Sequence, residues 1–136
     1  DNEYLAGCEI EDMKRFVFEA VTGNADFRES TVRYLAMNYG TEYSRVLAIA
    51  RADKSLAAPL NADGEIGAEV VFAIRYEMAK TLTDILMRRT GLGTLGDPGD
   101  AVVKKIARIA AKELKWNEAR VKKEIAAAKQ TLAVPR

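Results

Sequence analysis

Histidine is absent from the chain, and its absence limits the chemistry that the side chains can perform. The 136 residues contain no histidine and one cysteine, Cys8. Histidine is the commonest general base near neutral pH and a common metal ligand. A Ser-His-Asp triad is therefore impossible, and a zinc site would need Cys, Asp and Glu alone. A single cysteine excludes an internal disulfide and is typical of a reducing compartment. We therefore predict no metal site in this chain and expect few catalytic roles for its side chains.

Three glycines have the spacing of a dinucleotide-binding motif. Gly91, Gly93 and Gly96 form GxGxxG, which in such sites follows a β-strand and opens a helix that faces the pyrophosphate. Here the glycines follow a predicted helix that ends at Thr90, and no strand is predicted before them. We therefore interpret them as a helix stop followed by a flexible connection.

Two groups of carboxylates are candidates for acid–base chemistry. One contains Glu9, Glu11 and Asp12, and the other contains Asp63 and Glu65. Each group lies beside a loop or a predicted helix start, where an acidic side chain interacts favourably with the helix dipole. Nothing in the sequence places either group in an apolar cleft that would shift a pKa. We expect both groups to be structural.

Positive charge is concentrated towards the C-terminal end. The chain as a whole carries +1, but residues 101–136 contain ten Lys or Arg and three Glu, giving +7. Such asymmetry occurs on surfaces that bind nucleic acid or anionic lipid, and also on ordinary solvated helix faces. The basic side chains are Lys104, Lys105, Arg108, Lys112, Lys115, Arg120, Lys122, Lys123 and Lys129. Because Ala and Glu are interleaved with them, we favour the solvated face. A free-standing adaptor that binds nucleic acid, anionic lipid or protein is the alternative.

Apolar residues recur at helical spacing along nearly the whole chain and predict an all-α fold, a compact bundle of about six helices. Helices are expected over residues 11–21, from 30 to a stop at Gly40, from 41, over 66–90, from 97 or 100, and from Asn117 towards Pro135. The segment 66–90 is apolar over so wide an arc that we predict one long central helix there. No apolar run approaches the roughly 20 residues that span a bilayer.

The first predicted helix has an apolar face that should be buried. That face contains Met13, Phe16, Val17 and Ala20. The chain begins with Asp1 rather than Met, so we expect residues 1–136 to be one helical domain of a longer protein.

The predicted long helix also carries a set of polar side chains. They are Glu69, Arg75, Glu77, Asp84, Arg88 and Arg89. Asp84 and Arg88 are four residues apart and can pair along one helix face. On a helix that is otherwise so apolar, these groups are candidates for interdomain contacts or buried pairs, and an ordinary solvated stripe is the alternative.

An ordered series of segments is similar to one known family. Leu5-Ala6-Gly7-Cys8 resembles the Leu-Pro-Gly-Gly of that family's domain junction, although Ala6 and Cys8 depart from it. The strongest section is EVVFAIRYEMA at 69–79. Further matching segments are VRYL at 32–35, YG at 39–40, PL at 59–60, TL at 81–82, DIL at 84–86, RRT at 88–90, ELKWNE at 113–118 and EI at 124–125. In these residues the chain resembles the C-terminal helical domain of FAD-dependent glycerol-3-phosphate dehydrogenase and its relative α-glycerophosphate oxidase.

This resemblance implies a non-catalytic structural domain. Members of the family oxidise sn-glycerol 3-phosphate to dihydroxyacetone phosphate by hydride transfer to FAD, and then pass electrons to membrane quinone or to oxygen. The FAD-binding and substrate-binding residues belong to the family's N-terminal portion, so we expect FAD in the parent enzyme and none in this chain. The expected partner is the FAD-binding domain of the same polypeptide, with no nucleic acid. The parent is expected in the cytoplasm, peripheral to the inner face of the cell membrane.

Overall fold

The computed structural model describes residues 2–60, 65–88 and 99–133, and the side chains of most of them. These residues form seven α-helices joined by short connections. The helices are α1 Asn2–Gly23, α2 Glu29–Tyr39, α3 Tyr43–Ala52, α4 Ala68–Tyr76, α5 Leu82–Arg88, α6 Asp100–Leu114 and α7 Glu118–Ala133. Short 3₁₀ turns lie at Gly40–Glu42 and Lys54–Ala57, and one isolated antiparallel bridge pairs Pro59 with Ile66. The all-α prediction is confirmed.

The buried apolar side chains form two clusters. The N-terminal cluster contains Val17, Ala20, Val32, Leu35, Ala36, Val46, Leu47, Ile49, Ala50, Ile66, Ala68, Val71 and Phe72. The C-terminal cluster contains Leu60, Val70, Ala73, Ala79, Leu82, Ile85, Leu86, Val103, Ile106, Ala107, Ala110, Val121 and Ala128. Helix α4 contributes to both clusters, and Ile109 of α6 packs against both. The two clusters are therefore joined through α4 and α6.

The prediction of one long helix over residues 66–90 is wrong, because the chain turns between α4 and α5. Met78 has a left-handed backbone with a φ of 62°, a conformation that few residues other than glycine adopt. The carbonyl of Ala73 accepts hydrogen bonds from the N–H groups of both Glu77 (3.1 Å) and Ala79 (3.0 Å), which ends α4. The turn allows α4 to reach both clusters, whereas Leu82, Ile85 and Leu86 of α5 lie in the C-terminal cluster.

Helix α5 begins with two side-chain caps. Thr81 Oγ1 accepts a hydrogen bond from the Asp84 N–H at 3.0 Å, which is the N-cap arrangement of a capping box. The Leu82 N–H donates to Glu124 Oε1 of α7 at 2.9 Å, and Arg120 Nε donates to the other oxygen of Glu124 at 2.8 Å. Glu124 is buried. It therefore fixes the start of α5 against α7 with a charge that the helix dipole favours.

Glycine at position 78 is expected to stabilise the protein. Because Met78 is exposed, Met78→Gly loses little packing, and it removes the strain of a left-handed side chain. We expect the free energy of unfolding to rise by up to about 1 kcal/mol, measured by urea denaturation. The matched control is Lys123→Gly, in the exposed face of α7, where glycine should lower stability by about 1 kcal/mol. A loss of stability in Met78→Gly would contradict the left-handed turn.

Truncation of Glu124 should loosen the junction between α5 and α7. Glu124→Ala leaves the buried N–H of Leu82 without its acceptor, so we expect the free energy of unfolding to fall by about 1–3 kcal/mol. Lys123→Ala changes the neighbouring, exposed residue and should alter stability by less than about 0.5 kcal/mol. Equal effects of the two substitutions in urea denaturation would show that the Glu124 contacts contribute nothing.

The expected buried face of the first helix is correct for Val17 and Ala20, which are buried, but wrong for Met13. The Met13 side chain is 41% exposed, because it lines a groove between α1 and α2 rather than the core. Helix α1 is also longer than predicted and begins at Asn2. Within the described ranges, none of the helices combines the length and the apolar character that a membrane span requires.

Candidate functional site

Two carboxyl groups and two tyrosines meet inside the domain. Glu65 lies just before α4, and Glu69 lies in its first turn, with exposed fractions of only 3% and 1%. The Tyr34 hydroxyl donates to Glu65 Oε1, and the Tyr39 hydroxyl donates to Glu69 Oε1 at 2.9 Å. We call these four residues the buried carboxyl cluster. It connects α2 to the start of α4 by side-chain hydrogen bonds between residues about thirty positions apart.

Burial is the main cause that raises the pKa of Glu69 to about 8, and the nearby Glu65 carboxyl contributes to the rise. The Ile66 N–H, which donates to Glu69 Oε2 at 2.8 Å, acts in the opposite direction and lowers the pKa. Desolvation is the largest of these causes, because a carboxylate loses its hydration inside an apolar core. Glu69 is therefore mostly protonated at neutral pH.

The buried carboxyl cluster is suited to holding helices together rather than to catalysis. Raised carboxyl pKa values are common at catalytic sites, but a general acid must reach the atom that it protonates. Glu65 and Glu69 are buried too deeply to touch a dissolved substrate. The hydroxyls of Tyr34 and Tyr39 and the backbone of Ile66 occupy their oxygens instead.

Glu69 was a candidate for an interdomain or buried contact, whereas Glu65 was expected beside a loop or helix start and outside any apolar cleft. The burial of Glu65 against Tyr34 overturns that expectation. A signal for it exists in the sequence. Glu65 and Glu69 are four residues apart, and apolar residues flank both of them in the segment EIGAEVVFA. Two carboxyl residues at a helix start that are surrounded by apolar residues indicate that their carboxyl groups have buried hydrogen-bond partners.

Arg75, another of the polar side chains predicted to be important, forms an ion pair within the domain. Its Nε and Nη2 donate to the two carboxylate oxygens of Glu113 at 2.7 and 3.1 Å. The hydrogen bond to Glu113 is the main cause that raises the pKa of Arg75. Because Arg75 is about half exposed, this pair between α4 and α6 contributes at most about 1 kcal/mol to stability.

The Arg75–Glu113 pair borders a groove of about 370 Å³ between α3, α4 and α6. Its lining includes the apolar Ile49, Leu56, Val71 and Ile109 and the charged Asp53, Arg75, Arg108, Lys112 and Glu113. The cations have acidic neighbours: Lys112 Nζ lies 3.6 Å from Asp53 Oδ2, and Arg108 lies 4.0 Å from Glu118. Each cation of this groove therefore has an acidic neighbour, although Glu118 itself does not line the groove.

Of the other polar residues in the predicted set, the structure describes the side chains of Glu77 and Asp84 but not those of Arg88 and Arg89. Glu77 follows α4 and Asp84 lies in the first turn of α5, and both are half-buried. Arg88 ends α5, but its side chain and all of Arg89 lie outside the described residues. The predicted Asp84–Arg88 pair and the glycines Gly91, Gly93 and Gly96 also lie outside them.

The basic C-terminal helices are partly neutralised by acidic neighbours. Arg120 pairs with Glu124 at 2.8 Å, and Lys129 pairs with Asp100 at 3.1 Å. The other lysines of α6 and α7 lie on exposed helix faces. Within the described ranges, no group of three His, Cys, Asp or Glu side chains is arranged to hold a metal ion. The arrangement is that of two solvated helices packed on a core.

Comparison with known protein families gives one match that covers most of the chain. Residues 2–121 match the family described as the C-terminal domain of alpha-glycerophosphate oxidase. The matched segment includes the buried carboxyl cluster, the turn at Met78 and helix α6. No solved structure matches the chain significantly.

Several curated proteins are similar to this chain. A probable mitochondrial glycerol-3-phosphate dehydrogenase of Dictyostelium discoideum is 33% identical over 103 residues, which cover 75% of this chain and 16% of that protein. Glycerol-3-phosphate dehydrogenase 2 of Mycobacterium tuberculosis is 35% identical over 97 residues, which cover 70% of this chain and 17% of that protein. A mitochondrial glycerol-3-phosphate dehydrogenase of Arabidopsis thaliana is 27% identical over 129 residues, which cover 94% of this chain and 20% of that protein. The chain thus spans a fifth or less of each relative's length.

Proposed function

The chain belongs to the family of the C-terminal domain of alpha-glycerophosphate oxidase, and from this premise we propose that it is the non-catalytic C-terminal domain of an FAD-dependent glycerol-3-phosphate dehydrogenase. The parent enzyme oxidises sn-glycerol 3-phosphate to dihydroxyacetone phosphate and transfers the hydride to FAD. The match over residues 2–121 is the observation that carries the proposal. The relatives are all named glycerol-3-phosphate dehydrogenases, which supports glycerol 3-phosphate as the substrate of the parent.

The side chains of the described residues favour a structural role for this domain. The carboxyl groups with the most apolar surroundings, Glu65 and Glu69, are enclosed by tyrosines and backbone and do not reach solvent. Each cation of the groove beside Arg75 has an acidic neighbour, whereas a site for a phosphate ester needs donors that are available to the anion. In our proposal, FAD binding and hydride transfer belong to the remainder of the parent polypeptide.

The domain supports the parent by packing on its FAD-containing portion. Glu69 and Arg75 are engaged inside the domain, with Tyr39 and Glu113 respectively. Arg88 and Arg89 are our candidates for polar contacts with the FAD-containing portion, because in the sequence they come directly after the apolar residues that α5 buries in the C-terminal cluster. Electrons pass from the flavin to membrane quinone or to oxygen. If quinone is the acceptor, we expect the parent to associate with the inner face of the membrane.

The catalytic assignment is tested by comparing the isolated chain with the full-length parent. We expect the isolated chain to show no flavin absorbance and no glycerol 3-phosphate-dependent reduction of an artificial electron acceptor. The full-length parent should show both, and oxygen consumption or quinone reduction then identifies its acceptor. Turnover by the isolated chain, or a full-length parent that does not oxidise glycerol 3-phosphate, would contradict the proposal.

The arginine contacts are tested separately in the full-length parent. We expect the double substitution Arg88→Ala with Arg89→Ala to lower the midpoint of thermal unfolding or the turnover number. Lys122→Ala with Lys123→Ala, on the exposed face of α7, removes the same charge and should change neither. Unchanged stability and turnover in the arginine double variant would show that these two residues do not contribute to the interdomain contact.

A further inference from the structure

Three large apolar side chains are exposed together on the surface that α1 and α2 share. Phe18 is 70% exposed, Met37 is 60% exposed, and Met13 is 41% exposed. They line one groove of about 510 Å³ between the two helices. We call this surface the α1–α2 face. Single exposed apolar residues are normal on soluble proteins, but several that line one concave surface indicate a binding site.

The groove of the α1–α2 face is apolar in its centre and charged at its edge. Val17 is buried at its base, and Val21 also lines it. The charges on its α2 side, Arg33 and Glu29, form an ion pair with each other and so need no external partner. A second depression of about 670 Å³ shares Met37, Arg33 and Glu29 with the first. Met37 therefore lies between two concave surfaces that a partner can fill.

The composition of this face is that of a protein–protein interface. Interface centres are enriched in aromatic residues, Met and Arg, and depleted in Lys and Glu. Phe18, Met13, Met37 and Arg33 fit this pattern, whereas Lys14 and Glu29, which also line the groove, do not. The other large exposed apolar side chains are placed differently. Tyr76 packs on the Phe72 ring and lies under the Arg45 guanidinium, and Met78 occupies the left-handed turn.

We propose that the α1–α2 face docks on the FAD-containing portion of the parent polypeptide, an inference that rests on the proposed function. The relatives are five to six times as long as the segments that they share with this chain. Because the matching family is described as a C-terminal domain, the FAD-containing portion of the parent precedes the matched segment in our proposal. Helix α1 is the first element of that segment. The α1–α2 face is thus formed by the two helices nearest to the junction.

The outer faces of the last helices are less suited to this contact. Lys122 and Lys123 are exposed on α7, together with Ala126 and Ala127. A lysine-rich surface is expensive to desolvate and is depleted at interface centres. An interface of ordinary size buries about 800 Å² on each partner, so a contact at the α1–α2 face would extend beyond the two adjoining depressions onto the surrounding surface of α1 and α2.

Site-specific photo-crosslinking in the full-length parent tests the proposal. A photoreactive benzoylphenylalanine is placed at Phe18, at Met37 or, as a control on α7, at Lys123, and crosslinked peptides are identified by mass spectrometry. We expect positions 18 and 37 to give crosslinks to the FAD-containing portion and position 123 to give none.

The outcomes separate this inference from the proposed function. Crosslinks from position 123 but not from 18 or 37 would overturn docking through the α1–α2 face and leave the proposed function intact. Crosslinks from 18 and 37 only to a second copy of the chain would also overturn it. If no position reaches a flavin-containing portion and the parent purifies without flavin, the proposed function fails as well.

A substitution that does not disturb the domain itself gives a second readout. Phe18→Ser removes an exposed apolar side chain, so the urea midpoint of the isolated chain should be unchanged. In the full-length parent, the same substitution should lower the temperature at which flavin is released. Glu19→Ser is the matched control, because it changes the adjacent exposed residue. A parent that releases flavin at the same temperature with Phe18→Ser as with Glu19→Ser would contradict docking through this face.

Discussion

Replacement of Glu69 by Gln is expected to make stability much less dependent on pH. We expect the wild-type protein to lose stability as the pH rises from about 4.5 to about 8, and Glu69→Gln to lack this loss. The pKa of Glu69 is about 8 in the folded protein, against an ordinary value of 4.5. Between these values the folded protein keeps a proton that the unfolded chain has released. Stability therefore falls as the pH rises, by at most about 1.4 kcal/mol per pH unit for this one group.

The side-chain amide that Glu69→Gln introduces has the shape of the protonated acid but does not titrate. The amide can accept the Ile66 N–H through its carbonyl and donate to the Tyr39 hydroxyl, so the fold should be retained. The measurement is urea denaturation at pH values from about 5 to about 8, for the wild type, Glu69→Gln and the exposed control Glu19→Gln. We expect the steep slope in the wild type and the control only. Parallel stability profiles for all three proteins would contradict the buried carboxyl cluster.

Truncation of Leu47 is expected to lower the free energy of unfolding by about 2–5 kcal/mol. Leu47 is fully buried in the N-terminal cluster, and Leu→Ala in a core loses transfer free energy and leaves a cavity. For a domain whose total stability is of the order of 5–15 kcal/mol, this is a large fraction. Met37→Ala is the control, because its side chain is exposed and its removal should cost less than about 0.5 kcal/mol in the isolated chain.

The same variant tests whether the two clusters unfold as one unit. Trp116, the one tryptophan of the chain, packs against the C-terminal cluster, far along the sequence from Leu47. Because α4 and Ile109 join the clusters, the tryptophan fluorescence and the far-ultraviolet circular dichroism of Leu47→Ala should move to the same lower midpoint. A fluorescence midpoint that stays at the wild-type value would show that the clusters unfold separately.

Features set by neighbouring residues were predictable from the sequence. Val32, Leu35 and Ala36 of α2 recur at helical spacing, and all three are buried. Asn117, from which the last helix was predicted, accepts the Arg120 N–H at 2.8 Å, and Gly40, the predicted stop of α2, has a positive φ of 56°. Each of these depends on contacts within one or two helical turns, which a sequence pattern records directly.

Features that depend on distant partners were not predictable in this way. Met78 takes a left-handed conformation without being glycine, so no residue type marks the end of α4. The capping pattern from Thr81 to Asp84 was a local signal for the start of α5, but the apolar periodicity across it favoured a continuous helix. Glu124, the other cap of α5, is 42 residues away from Leu82. A tertiary contact of this kind overrides the local preference.

The buried carboxyl cluster was missed for the same reason. Its tyrosine donors, Tyr34 and Tyr39, lie about thirty residues before the carboxyls that they contact. The apolar residues around Glu65 and Glu69 were a local signal for burial, but no local pattern identifies the tyrosines that contact them. The family assignment did not depend on these contacts. It came from an ordered resemblance along the chain, and the match over residues 2–121 confirms it.

The central claim is that this helical chain supports a flavoenzyme without carrying the active site. The most direct measurement compares the full-length parent with a parent that lacks residues 1–136, by flavin release on heating and by glycerol 3-phosphate turnover. We expect the shortened parent to release flavin at a lower temperature and to turn over more slowly. An unchanged release temperature together with unchanged turnover would contradict the claim.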